Sequence, residues 1–370
     1  MKINFLIALS VLIFGCVQHQ ETDTSVPIAI SNADKIEIKY AKGFEVEYKM
    51  GHIKIITHSI SDNQTFRDSL YLITSDKVTL DPALKSLNPT EAKFACHSST
   101  YLAFFNALGS LNQVNALCGL DYVSNHSIDS VLTQNSVIEL CQIDQVQTEA
   151  LYSAHPDLFL VYPFGSIQDL NYDERGIATL LIAEYLEESQ LARLEWIKLF
   201  GLLLDKVPEA NAYFESVETE YLELKQKAAF EDKKFIMNLP FQDQWFMPSS
   251  KSVGVQLIED AGLSYYYAGN EGTENQIHSK ESVWDAGTRA DYWIIIARYE
   301  GDYSLAQLLA EEPAYSAFKS IKNKQVIFCN TAKVDYFSQG AIEPNVILKD
   351  LLFATGQIED HKPTYFFILE

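Results

Sequence analysis

Read for apolar and polar positions, the chain changes period several times. Over residues 35–76, Ile36, Ile38 and Tyr40, then Phe44, Val46 and Tyr48, then Ile53, Ile55 and Ile56 alternate with polar residues across Gly43 and Gly51. A period of two places successive side chains on opposite faces, so these runs predict short antiparallel strands packed on the edge of the body that follows. A strand-then-helix rhythm comes next. Residues 93–96 read as extended, 100–108 as helical, 114–118 as extended, 150–154 as helical and 158–162 as an apolar strand, and a further passage runs from Tyr172 into a strand at 178–183. Strands separated by helices are joined as parallel neighbours.

Between Leu191 and Ala229 the period becomes 3.6, through Leu194, Ile197, Leu202, Ala210, Phe214, Val217, Tyr221 and Leu224, with Pro208 suited to the first turn of a second helix. The stretch 209–230 contains no strand, and a helix of about 20 residues spans ~30 Å, enough to join two lobes as a stiff rod. After Lys234 the alternation resumes, with strands at 235–239, 292–297 and 325–329 and helices at 253–261, 280–286, 305–321 and 344–355. The expected fold class is α/β: two Rossmann-like lobes joined by one long backbone helix, with a short N-terminal β extension. The expected boundaries are a signal at 1–16, a polar tether at 17–34, the β extension at 35–92, the N-terminal lobe at 93–205, the connecting helix at 206–231 and the C-terminal lobe at 232–370.

The first sixteen residues combine Lys2, an apolar run from Phe5 to Phe14, and Gly15 before Cys16. That is the pattern of a lipoprotein signal, and the run is too short to span ~30 Å of hydrocarbon, which takes about 20 residues. Lipidation at Cys16 would anchor the chain through several acyl chains. The formal charge of −22, from 28 basic against 50 acidic residues, excludes nucleic acid as a partner and points to docking partners rich in Arg or Lys, although solubility accounts for most of it. Of the remaining cysteines, Cys96, Cys118, Cys141 and Cys329, none falls in a metal-ligand spacing. Structural roles are expected, with a Cys96–Cys118 or a Cys118–Cys141 bridge as open alternatives. No Gly-x-Ser-x-Gly elbow, His-Glu-x-x-His pair, phosphate loop or Cys-x-x-Cys occurs, so no enzyme is expected, and Glu187-Glu188 reads as a solvated helix face.

The order of motifs resembles the class III periplasmic binding proteins, which receive ferric siderophores, haem and cobalamin. The carriers are the strand-turn-helix at 94–109 (FACHSSTYLAFFNALG), the run 148–158 (TEALYSAHPDL), Ser279-Lys280-Glu281-Ser282-Val283 ahead of Ala290-Asp291-Tyr292-Trp293-Ile294-Ile295, and 340–352, so the likeness covers Phe94 to the C-terminus. The segment 184–197 is similar to the stretch before the long helix in anchored members, departing from their usual Pro-Leu-Gly-Arg-Ala-Glu-Trp at Gln190, Ala192 and Leu194.

The resemblance implies a substrate-binding lipoprotein on the periplasmic side of a membrane, with no cofactor of its own. Its cargo would be an iron chelate, haem or cobalamin, and its partner an inner-membrane ABC permease dimer with a cytoplasmic ATPase. It also implies one exposed docking glutamate per lobe, at Glu149 and Glu281, each opening a helix ahead of a buried strand; the helix dipole favours a first-turn carboxylate whatever its role. A capture lipoprotein serving an outer-membrane partner is the alternative. Cleft-facing candidates are the strand ends and the loops after them: His97, Ser98, Thr100 and Tyr101; Tyr122; Tyr162 and Phe164; Phe241 and Trp245; Arg298 and Tyr299; and Tyr336. Their aromatic rings suit a flat macrocycle or a catechol and Arg298 an anionic group, while many such rings serve only as core. With Arg298 the one arginine expected in the cleft and Arg175 a weaker second, the cargo expected is neutral or aromatic.

Overall fold

Three sheets organise the computed structural model, which describes residues 35–60, 66–75, 79–123, 125–142, 145–163, 172, 176–242, 244–269 and 272–370. The first sheet is the β extension. Strands β1 (Phe44–Lys49), β2 (His52–His58) and β3 (Arg67–Ile73) form an antiparallel meander, and β4 (Ser86–Leu87) joins β3 in parallel. The alternation at 36–40, expected as a strand, forms none. Its backbone donors are taken instead by the buried Glu195 carboxylate, which accepts from the N–H groups of Lys39 (2.9 Å), Tyr40 (2.7 Å) and Ala41 (2.9 Å), so no ladder partner is needed.

The second sheet is all parallel, in the order β11-β10-β5-β6-β7. Its strands are β5 (Phe94–Cys96), β6 (Val114–Leu117) and β7 (Ile138–Glu139), then, after the small hairpin β8 (Cys141–Gln142) and β9 (Gln145–Val146), β10 (Leu158–Val161) and β11 (Thr179–Leu181). The crossovers carry α1 (Leu102–Ala107), α2 (His126–Gln134) and α3 (Thr148–Ala154). The β extension abuts the edge strand β11: Asp68 accepts from the Leu181 N–H at 3.2 Å, and Lys85 Nζ donates to the Thr179 carbonyl at 3.0 Å.

Two helices lead out of this lobe, α4 (Gln190–Leu203), capped by Ser189 Oγ on the Ala192 N–H, and α5 (Val207–Lys227), with Pro208 in its first turn. Apart from Arg193, every residue of α4 is buried, as a helix wedged between two bodies requires. It packs on α5, on α1 and on helices of the second lobe. The 21-residue α5 buries one stripe, Ala210, Phe214, Val217, Tyr221 and Leu224, and is the long connecting helix that the 3.6 period predicts.

The third sheet runs β14-β12-β16-β17-β18. In chain order the second lobe comprises β12 (Lys234–Met237), β13 (Gln244–Pro248), α6 (Val253–Asp260), β14 (Ser264–Tyr265), β15 (Asn275–Ser279), α7 (Lys280–Arg289), β16 (Tyr292–Ala297), α8 (Leu305–Glu311), α9 (Lys319–Lys322), β17 (Val326–Asn330), α10 (Gln339–Ile342), α11 (Pro344–Ala354) and β18 (Phe367–Ile368). The pairings are parallel except β17 with β18. The antiparallel pairing of β13 with β15, across the intervening α6 and β14, is a feature the sequence pattern does not announce. The single helix expected at 305–321 is broken, because Pro313 lacks the N–H that would continue α8 and a 3-10 turn at Pro313–Ala317 intervenes. One hydrophobic cluster runs from Phe94 on β5 through Phe200 on α4 to Ile294 on β16, so the two lobes share a core through α4.

Two expectations resolve here. Cys118 pairs with Cys141, while Cys96 in β5 and Cys329 in β17 stay buried and free. Glu187 is no solvated face: it is fully buried and accepts from the N–H groups of Lys42 (3.0 Å) and Gly43 (2.9 Å) and from Trp196 Nε1 (2.9 Å). Only its neighbour Glu188 stays partly exposed, paired with Lys42.

Candidate functional site

In a parallel sheet the loops beyond the carboxyl ends of the strands are free to diverge and hold a ligand, and the candidate residues of the first lobe gather there. His97 follows β5, its N–H bonded to the Leu160 carbonyl at 2.9 Å and its ring 5.8 Å from that of Phe159. Its Nδ1 is buried without a partner, and burial draws its pKa below the usual histidine value. Ser98 and Thr100 spend their hydroxyls on each other at 2.7 Å while Ser98 Oγ also caps the Thr100 N–H. Tyr122 is exposed on the turn after β6. Tyr162, after β10, is half-buried and stacked on Tyr185, centroids 4.5 Å apart. Tyr101 has to be removed from the set: its ring is wholly buried in the lobe core and its hydroxyl donates to the Ile182 carbonyl at 3.1 Å. Phe164, Arg175 and Cys16 lie outside the described residues.

In the second lobe a cavity of about 550 Å³ opens at the carboxyl ends of β12 and β16. Phe241, Phe246, Tyr336 and Phe337 supply its aromatic lining, and Arg193 of α4 its cation. Phe241 is well exposed and Tyr336 half-buried. Trp245, expected beside them, is instead a core residue, with no exposed surface and its Nε1 bonded to the Met237 carbonyl at 2.9 Å. Arg298 and Tyr299 follow β16 but are absent from the cavity wall; Arg298 is exposed and paired with Glu300 at 2.9 Å, and Tyr299 packs on Tyr303 at 4.3 Å. A further cavity of about 500 Å³ is lined by Lys93, Gln113 and the turn between α4 and α5, at the opposite, amino ends of β5 and β6.

The arginine of the site is therefore Arg193. Its guanidinium lies 3.5 Å from the Glu184 carboxylate and donates to the Phe337 carbonyl at 3.4 Å, so one side chain touches both lobes. Its charge acts on Tyr162 in one lobe and on Tyr336 in the other. Glu184 has no exposed surface, and neither of its oxygens makes a hydrogen bond. Burial pushes its pKa above the usual carboxylate range, and the guanidinium opposes that rise. The sequence carries no separate signal for Arg193, because Gln190, Glu195 and Lys198 lie on the same helix and it is one polar residue among several there.

Glu149 and Glu281 are both exposed, each in the first turn of a helix, α3 or α7, that leads into a buried strand, β10 or β16. Ser279 Oγ caps α7 through the Ser282 N–H at 3.2 Å, and local hydrogen bonds hold Glu281 below the usual carboxylate range.

Comparison with known proteins places this geometry. Residues 95–332 match the model of a family described as periplasmic binding protein. An uncharacterized lipoprotein of Methanocaldococcus jannaschii is 24% identical over 93% of this chain and 89% of its own length. Among solved structures, the periplasmic haem binding protein HutB of Vibrio cholerae superposes with a TM-score of 0.57 at 17% identity, over 71% of this chain and 99% of that one. An ABC-type Fe3+-hydroxamate transport system protein of Saccharomonospora viridis gives 0.56 at 17% identity, over 72% and 93%. At such identities the structural likeness speaks for the fold, while the family model covers well over half of the sequence. Two lobes with parallel sheets around a long helix, and the match across both of them, make this chain a member of the periplasmic binding protein family, of the class III kind.

Proposed function

We propose that the chain is the substrate-binding lipoprotein of an ABC importer, anchored through Cys16 on the periplasmic side of a membrane. It takes an iron complex, either a ferric siderophore or haem, or cobalamin into the inter-lobe cleft and delivers it to a permease dimer with a cytoplasmic ATPase. It performs no catalysis. The observation that carries the reading is the aromatic cavity at the strand ends, with Arg193 reaching from α4 to both lobes. A volume of about 550 Å³ sits within the range of small-molecule sites, and flat rings in the wall favour a flat or conjugated cargo. A single guanidinium suits one anionic edge, such as a propionate or a catecholate, better than a polyanion. His97, with its ring held neutral by burial, would serve as a hydrogen-bonding or axial group facing that cargo.

The purified chain, mixed in turn with haem, cobalamin and ferric hydroxamate or catecholate complexes and then desalted, is expected to retain one of them at about one equivalent by absorbance and metal analysis. Arg193→Ala should weaken retention by roughly tenfold or more, the loss of a charge-assisted contact. Retention of none would sink the cargo assignment.

A further inference from the structure

The disulfide Cys118–Cys141 sits beside His97, with the two sulfurs and a ring nitrogen all within 4.8 Å of one another. The topology explains the convergence. Strands β5, β6 and β7 are consecutive neighbours in the sheet, His97 and Cys118 each follow the last residue of their strand, and Cys141 comes two residues after β7. All three therefore belong to one carboxyl edge.

What fixes the loops is not the disulfide alone. Glu139 Oε1 accepts from the N–H groups of Gly119 and Cys141, both at 2.9 Å, and its Oε2 from the Leu120 N–H at 2.7 Å. A single carboxylate thus ties the residue after Cys118 to Cys141 itself. The Cys118 N–H adds a bond to the Cys96 carbonyl at 2.9 Å, next to His97. Gly119, at φ +85°, supplies the left-handed turn that brings the loop back over β7. With these bonds kept, opening the sulfur–sulfur bond leaves two thiols facing each other and the imidazole, with Cα atoms 4.8 Å apart. His97 Nδ1, buried and without a hydrogen-bond partner, is a further unmet donor or acceptor in the same place.

We propose that the Cys118–Cys141 disulfide masks a metal site, and that its reduction exposes a Cys2His set that binds a thiophilic d10 cation, Zn2+ or Cu+. Two thiolates and one imidazole make a three-ligand set of the soft to borderline kind. An external dithiol gives two electrons and two protons to the disulfide and becomes a disulfide itself, and the cation then displaces the two thiol protons. In an oxidising envelope the site is closed, and where dithiol reductants act it opens.

The test uses the purified chain without cargo, so its result is independent of what the cleft carries. Zn2+ is titrated against a competing chelator before and after reduction with a phosphine, and Co2+ serves as a spectroscopic stand-in whose thiolate charge-transfer bands report sulfur ligation. The expected result is one equivalent of Zn2+ in the reduced chain, bound at least about 100-fold more tightly than by the disulfide form, with thiolate bands from Co2+. His97→Ala, which keeps both cysteines, should lower the reduced-state affinity roughly tenfold or more. Circular dichroism of the reduced chain should match the oxidised one, since Glu139 holds the loops. Equal Zn2+ affinity in both redox forms, equal affinity in a Cys118→Ser/Cys141→Ser chain, or unfolding on reduction would each overturn the proposal.

Discussion

Two buried glutamates show opposite bargains between stability and site. Glu195 accepts three backbone N–H groups from residues 39–41 and the ammonium of Lys198 at 2.8 Å. Glu184, equally buried, accepts none and has only the guanidinium at 3.5 Å. Removing a satisfied buried acceptor strands its donors and an ion, so Glu195→Ala should cost about 3–5 kcal/mol in chemical denaturation. Glu184→Gln should do the reverse. The folded-state pKa of Glu184 lies above its unfolded value, so its contribution is fully present below the unfolded pKa and is lost as pH rises through the folded one. The variant should therefore gain stability relative to the parent as pH climbs from acid toward neutral; a difference that stays flat with pH would refute this. Neither role was legible from residue type. Sequence distinguishes charged from apolar but not a carboxylate that clamps a strap from one left with a single cation, and Glu187 was misread for the same reason. Tyr101 and Trp245 err the other way: aromatic strand-end residues turned into the core, where their polar tips found main-chain carbonyls.

Elements were more legible than side chains because burial has a period. The alternation of β1 and β2, the crossovers of the second sheet and the 3.6 repeat of α4 and α5 all follow from which face meets the core. Where the pattern failed, a specific competitor won. At 36–40 a carboxylate captured the donors that a strand partner would have used, and at Pro313 the ring ended a helix that the apolar spacing would have continued. The pairing of β13 with β15 is not legible because each strand is only five residues long and α6 and β14 separate them along the chain. The seam between α4 and α5 depends on a small residue: a Cβ added to Gly201 would lie 2.6 Å from Ala210 Cβ. Gly201→Ala should thus force the helices apart at a cost of about 1–3 kcal/mol, seen as a lower denaturation midpoint at unchanged slope. A neutral effect would mean the seam can yield.

At the scale of the molecule, the two lobes behave as one packed body. Phe104 of the first lobe stacks on Phe200 of α4 at 4.6 Å, and α4 continues onto α6 and α11 of the second. Glu149 and Glu281 stand on equivalent helices of the two halves, and the docking role that the family resemblance implies for them makes a whole-molecule prediction. Glu149→Arg and Glu281→Arg together should abolish uptake in cells while leaving cargo affinity within about twofold, since complementary charge governs encounter and register. Normal uptake in that double variant would favour capture for an outer-membrane partner. The two-lobed plan could be read from the chain because each half repeats the same strand-helix order; the cleft cation could not, because Arg193 sits on the connector between the halves.

The attachment of the leading segment has a mechanical consequence. Lys35 is held to α5 by Asn211 at 3.1 Å, and residues 39–43 are strapped by Glu195 on α4 and by Glu187 just ahead of that helix. Any tension drawn through the chain ahead of Lys35 is therefore delivered to the segment that also carries Arg193. Under the anchoring and cargo binding proposed above, the pull of the tether and the hold on the cargo would fall on one helix.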